Sequence, residues 1–334
     1  MNYLGDFHMA VTKKVVKAKK PVPKMGKKKD AVDLAVDNVS ATWKFVKPNF
    51  RELFTKMFKL NLFAFGVVMG LILVFLLLFA GTLVVFGLDL TALETGAGIA
   101  DIMSNTAALA ILVILTIVFF IVMSWISQAF ELVAPIIMDE QHTRKRSDLK
   151  ELVCSMKMPA LRYMIVSMVI GLVAVLVPMA LTFILGIIGQ TALFSIGIII
   201  WLIWLFIFAI LFSFLSQFWT FEIAVAKRPV VEALKASIDI VKKNVIGVLV
   251  FDILTIVIGL VLAVPFIGIV FVIEAIFRVS LLATFMAPGT GIIIGIIGVA
   301  IYVLIRIVLQ LLAIALNQST LLAYTYSYWK ELRK

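Results

Sequence analysis

The chain is 334 residues long, 63% of them hydrophobic and only 15% charged, with a formal net charge of +11. Soluble domains carry about 25% charged and about 45–50% apolar residues, and a large share of any globule must face water. A water-soluble globule is excluded. Hydrocarbon is the solvent that accepts such a surface, and the chain reads as an all-α polytopic membrane protein.

The opening residues differ from the rest. Residues 1–30 read as a disordered, lysine-rich cytoplasmic tail, because Lys13, Lys14, Lys17, Lys19, Lys20, Lys24, Lys27, Lys28 and Lys29 fall in one run with two prolines and no aromatic residue. Such a run buries too little apolar surface to offset the entropy of ordering. Each lysine near an anionic leaflet contributes up to about 1 kcal/mol, weakened by salt. The run is therefore an anionic-surface binder and a topology signal. It contains no arginine, so contact with nucleic acid or the ribosome would be nonspecific.

From Ala31 a helical period appears. Val32, Val36, Val39, Trp43 and Val46 share one face, which predicts an interfacial helix ending before Pro48. A second short amphipathic piece is expected from Phe50 to Lys59, so residues 31–59 form the interfacial segment and 60–334 the transmembrane bundle.

A membrane span needs roughly 20 apolar residues. Spans are predicted at about 60–87, 107–138, 162–186, 192–224, 245–265 and 290–322. The stretch 266–286 is apolar enough to cross but holds Glu274 and Arg278, and Pro265, Gly268 and Pro288 set it apart. It is either a seventh span or a re-entrant or interfacial insertion.

Charge decides between these. The connections 139–162 and 225–244 are rich in Lys and Arg, whereas 88–104 holds only acids, Asp89, Glu94 and Asp101. Cytoplasmic flanks carry the excess of basic residues. Lys330, Arg333 and Lys334 follow an aromatic belt of Tyr324, Tyr326, Tyr328 and Trp329. Both termini are placed in the cytoplasm, which gives six spans in the cell membrane and makes 266–286 an insertion.

The chain also reads as three repeats, about 50–138, 147–226 and 229–330. Each opens on a cytoplasmic amphipathic helix, aligned on Glu52, Glu151 and Glu232, and continues as a two-span hairpin. The second spans end in Ser127-Gln128, Ser216-Gln217 and Asn317-Gln318. In the third unit, Glu232-Ala-Leu-x-x-Ser237-x-x-x-Val-Lys-x-Asn244 leads into an apolar span. This segment resembles the membrane domain of membrane-anchored glycerophosphodiester phosphodiesterases and related stand-alone membrane proteins. The span pattern extends the likeness over residues 40–330. In the fused relatives a separate soluble domain performs hydrolysis, and the resemblance implies no such activity for this chain.

Ionisable groups within spans cost roughly 2.5–3.5 kcal/mol at a helix centre, so each needs a reason. Asp252 and Arg306 are expected to pair between adjacent helices. That pair is either a register lock or the centre of a gate or anionic-headgroup site. Glu274 and Arg278, four apart, are expected to pair on one helix face. Gln128, Gln217 and Gln318 are candidates for a polar ring. Glu131 and Glu222 lie near span ends, within reach of the basic connections. The lone cysteine, Cys154, and two distant histidines offer no metal cluster, and no cofactor is implied.

Glu274 and Arg278 partly match the motif of intramembrane prenyl-protein proteases, but Ile273 stands where the first Glu belongs and no histidine lies within a span. With no catalytic motif present, the expected function is non-enzymatic: organising lipids or partner proteins at the cytoplasmic face. The alternative is a transporter or channel for a small or anionic solute that uses Asp252 and Arg306.

Overall fold

Backbone polar groups in hydrocarbon must be satisfied within their own segment, which leaves the helix as the outcome for long Leu, Ile, Val and Phe runs. The computed structural model describes residues 31–87, 105–143, 147–188, 191–285 and 291–333. Every element there is helical: α1 (Ala31–Val85), α2 (Thr106–Thr143), α3 (Leu149–Ser155), α4 (Lys157–Ile188), α5 (Thr191–Ser216), α6 (Trp219–Ala224), α7 (Val230–Lys243), α8 (Val245–Phe285) and α9 (Gly291–Leu332). Six helical stretches are long and apolar enough to cross a membrane: Asp33–Val85, Thr106–Thr143, Lys157–Ile184, Ile196–Ala224, Val245–Arg278 and Gly298–Leu332. The chain is a multi-pass membrane protein. The lysine run 13–29, the acidic loop 88–104 and Arg144–Arg146 lie outside the described residues.

Two expected boundaries are corrected. α1 does not end before Pro48, nor does a separate helix begin at Phe50; the helix passes through the proline without a break. An interior proline removes one hydrogen bond and costs about 3 kcal/mol. Packing on both sides offsets that cost, since Val46 before it and Leu53, Met57 and Leu60 after it are all buried in one core. Likewise, 266–285 is not a separate insertion: α8 is continuous through Pro265 and Gly268. Its 41 residues extend about 60 Å at about 1.5 Å each, roughly twice the hydrocarbon thickness. α8 therefore tilts strongly or extends past the bilayer.

The core occupies one end of the molecule. Cross-helix hydrogen bonds place the same regions together: Asn38 Nδ2 donates to the Tyr324 carbonyl (3.3 Å), Lys56 Nζ to Gln141 Oε1 (3.3 Å), Asn61 Nδ2 to Gln318 Oε1 (2.9 Å) and Tyr326 Oη to Asp139 Oδ1 (2.7 Å). This packed end gathers the first half of α1, the last turns of α2 and α9, all of α3, α6 and α7, and the start of α8. The other half of the bundle turns large apolar side chains outward, among them Leu77, Phe120, Phe183, Phe206 and Phe271.

The first half of α1 is oriented accordingly. Val36 and Trp43 stay 53% and 50% exposed, while Ala35, Asn38, Thr42 and Val46 face the core. Of the predicted stripe Val36 and Trp43 point outward, as suits lipid contact, whereas Val46 is buried and Val39 packs against the core.

The segment 232–244 acts as a clasp. Ala233, Ser237 and Val241 are buried on one face of α7. Ser237 Oγ donates to the Leu215 carbonyl (2.9 Å) and accepts from the Phe218 N–H (3.2 Å), bridging the break between α5 and α6. Trp219 Nε1 donates to the Val230 carbonyl (2.8 Å), tying α6 to the start of α7. Asn244 ends α7: its Nδ2 donates to the Ile240 carbonyl (3.0 Å), and its own carbonyl accepts from the Val248 N–H to open α8. Ser237→Ala removes both Oγ bonds at a buried helix break. It should lower stability by about 1–3 kcal/mol, the cost of stranded buried polar groups, read as a drop in thermal midpoint in detergent; an unchanged midpoint would contradict this role for Ser237.

Candidate functional site

The predicted Asp252–Arg306 pair does not form. Phe251 stacks on Tyr328 (4.3 Å between centroids), Phe277 stacks on Tyr302 (4.1 Å), and Gly259 faces Leu321. These three contacts share one antiparallel register, which sets Asp252 level with Ser327 and Arg306 level with Ile273. The two charges are separated by about twenty residues along the helices, about 30 Å at 1.5 Å each. Arg306 instead donates to Tyr302 Oη on its own helix (3.3 Å) and is exposed. Asp252 is half-buried near the packed end.

Glu274 and Arg278 do pair, at 3.0 Å. Glu274 borders an apolar groove of about 330 Å³ between α8 and α9, with Phe266, Val270, Leu309 and Asn317 along its walls.

No hydrogen bond joins the three glutamines to one another among the described residues. Gln318 accepts from Asn61. Gln128 Oε1 and Gln217 Nε2 are buried and unpartnered, as is Asn317 Oδ1. Buried polar atoms normally have partners, so these positions call for a water or another polar group.

The best-built site centres on Glu222, whose side chain is 0% exposed. Trp329 Nε1 donates to its Oε1 at 2.8 Å. Arg228 NH1 lies 3.3 Å from Oε2, and Arg333 Nε lies 3.8 Å from Oε1. Oε2 forms no hydrogen bond, so the Arg228 contact is an ion contact without hydrogen-bond geometry. Arg333 also lies over the Trp329 ring, 5.2 Å from its centroid. A buried charge is tolerated only when it is paired, and here one carboxylate holds two guanidiniums that reach outward, 42% and 39% exposed.

Local geometry delivers Arg228. Lys227 takes a left-handed backbone conformation (φ 55°), and the Arg228 N–H bonds to the Glu222 carbonyl. Beyond the two arginines a pocket of about 250 Å³ opens, lined also by Asp239, Lys243 and Asn244.

Reach from Glu222 to the basic connection was readable in the sequence. Its partners Trp329 and Arg333 were not, being more than a hundred residues away. The aromatic belt was misread as well. Tyr324, Tyr326, Tyr328 and Trp329 are all buried in the bundle. Consecutive buried residues on opposite faces mark a helix enclosed on all sides, which is the available clue. Among the described residues no group of three or more His, Cys, Asp or Glu side chains could hold a metal ion.

A family model described as a domain of unknown function, DUF7847, matches residues 143–325. No curated protein and no solved structure matches the chain.

Trp329→Phe keeps the ring and removes the donor to Glu222. It should cost about 1.5–3 kcal/mol, as expected of a hydrogen bond to a charged group, and Glu222→Gln in the same background should then add less than it does alone. A double-mutant cycle of thermal unfolding in detergent measures this; strict additivity would mean that the two side chains do not interact.

Proposed function

We propose, for this chain that belongs to the DUF7847 family of unknown function, that it is a non-enzymatic integral membrane protein organising lipids or partner proteins at the cytoplasmic face. The carrying observation is the gathering of cross-helix polar contacts and outward-held cations at one end, while the other half offers apolar helices to lipid. The excess of Lys and Arg in 139–162 and 225–244 favours the cytoplasm for that end, with both termini on the same side.

In this reading the bundle is three hairpins; a cytoplasmic amphipathic helix precedes the second and the third, and the first half of α1 takes that place for the first as a continuous extension of its span. The antiparallel register of α8 and α9 and the one-sided burial of α7 support it. The lysines at 13–29 add an electrostatic hold on anionic lipid, worth up to about 1 kcal/mol each.

Transport is a second reading, favoured by one observation: the buried, unpartnered amide atoms of Gln128, Gln217 and Asn317 near the packed end. Asp252 is then a candidate pathway residue near that end, with Arg306 deeper in the bundle.

Two measurements separate these readings. Purification in native lipid, at low salt, should recover an enriched anionic lipid or a partner protein; recovery of neither removes the first reading. Solute flux in liposomes should be indistinguishable from that of protein-free controls. Flux that falls in Asp252→Asn would establish the second.

A further inference from the structure

The pocket beyond Glu222 has the makings of a specific ligand site. We propose that it binds the headgroup of a glycerophospholipid, taking the phosphate between Arg228, Lys243 and Arg333 and a hydroxyl or ammonium donor at the Asp239 carboxylate. This rests on the lipid-organising reading and narrows it to one site.

Three features favour this ligand class. First, the cations are positioned in advance: the buried Glu222 carboxylate holds both guanidiniums at one wall, at 3.3 and 3.8 Å. Fixed guanidiniums are well suited to phosphate oxygens, and prior ordering lowers the cost of binding.

Second, the lining is amphoteric. Three cations surround the space together with two acids, the exposed Asp239 and the buried Glu222 that holds the arginines. A bare anion would meet only the cations, whereas a headgroup carrying a donor beside its phosphate can also satisfy Asp239.

Third, the pocket sits where charged chain meets apolar chain. Lys243 and Asn244 line it, and α8 begins at the next residue. Val245, Ile246, Leu249 and Ile253 turn outward along the first turns of α8. A lipid with its phosphate in the pocket can lay its acyl chains on this stripe, which a soluble phosphate cannot do. The volume, about 250 Å³, suits a headgroup and leaves the tails outside.

The test uses the full chain in phosphatidylcholine nanodiscs, with bound lipid counted by native mass spectrometry. Phosphatidylglycerol, which has a phosphate with neighbouring hydroxyls, is compared with inorganic phosphate. Changing Arg228 or Arg333 strands a buried carboxylate and can disturb folding, so the informative variants are Lys243→Gln and Asp239→Asn. Both residues are exposed, and unchanged thermal midpoints verify the fold.

Wild type should retain phosphatidylglycerol over phosphatidylcholine. Lys243→Gln should weaken retention about fivefold, equivalent to about 1 kcal/mol, and Asp239→Asn should narrow the preference over phosphatidylcholine. Inorganic phosphate should not displace the lipid. If both variants retain phosphatidylglycerol like wild type, the pocket assignment falls while the lipid-organising reading stands. If wild type enriches no anionic lipid at all, both fall. Displacement by inorganic phosphate alone overturns the lipid assignment in favour of a soluble anion.

Discussion

Apolar helices gain little by leaving lipid for one another, so this bundle depends on the polar and aromatic contacts at its packed end. Glu222 is the most demanding of them. A carboxylate without solvent exposure has to be neutralised where it sits, and its partners come from two distant places: Arg228 from the turn after α6, and Trp329 and Arg333 from the end of the chain. One buried charge thereby ties the last helix to the middle of the chain. Tyr326 on Asp139 and Asn61 on Gln318 extend the same principle to α2 and α1.

The same constraint shapes the proposed headgroup site. A carboxylate that pairs with two guanidiniums also aims them, and the arginines around Glu222 stay partly open to a pocket. Residues that hold the bundle together here also line the pocket proposed to take a headgroup. The segment 232–244 belongs to the same region. Its Ser237 and Asn244 bond to backbone at helix breaks, so both side chains serve the way α5 to α8 connect.

Much of the architecture was legible in composition. Six apolar stretches, helical throughout, follow from hydrocarbon as solvent, and Glu274 with Arg278 pair as i, i+4 spacing requires. What could not be read locally was set by partners far along the chain. Pro48 looked like a helix end, yet core contacts on both flanks carry α1 through it. Asp252 and Arg306 looked like a pair because adjacent helices each held one charge; the register fixed by Phe251 on Tyr328 places them at different depths. The four aromatic residues near the end of the chain looked interfacial because aromatic residues favour that zone, yet α9 is enclosed there by α1, α2, α6 and α8.

Orientation is the premise shared by the lipid reading and the headgroup site. The chain has one cysteine, Cys154, exposed on α3 at the packed end. Labelling it with a membrane-impermeant thiol reagent in sealed vesicles tests that premise directly. Labelling in inside-out vesicles and none in right-side-out vesicles is the predicted result. Labelling from the outer face alone would put the cation-lined pocket on the wrong side of the membrane and contradict the account.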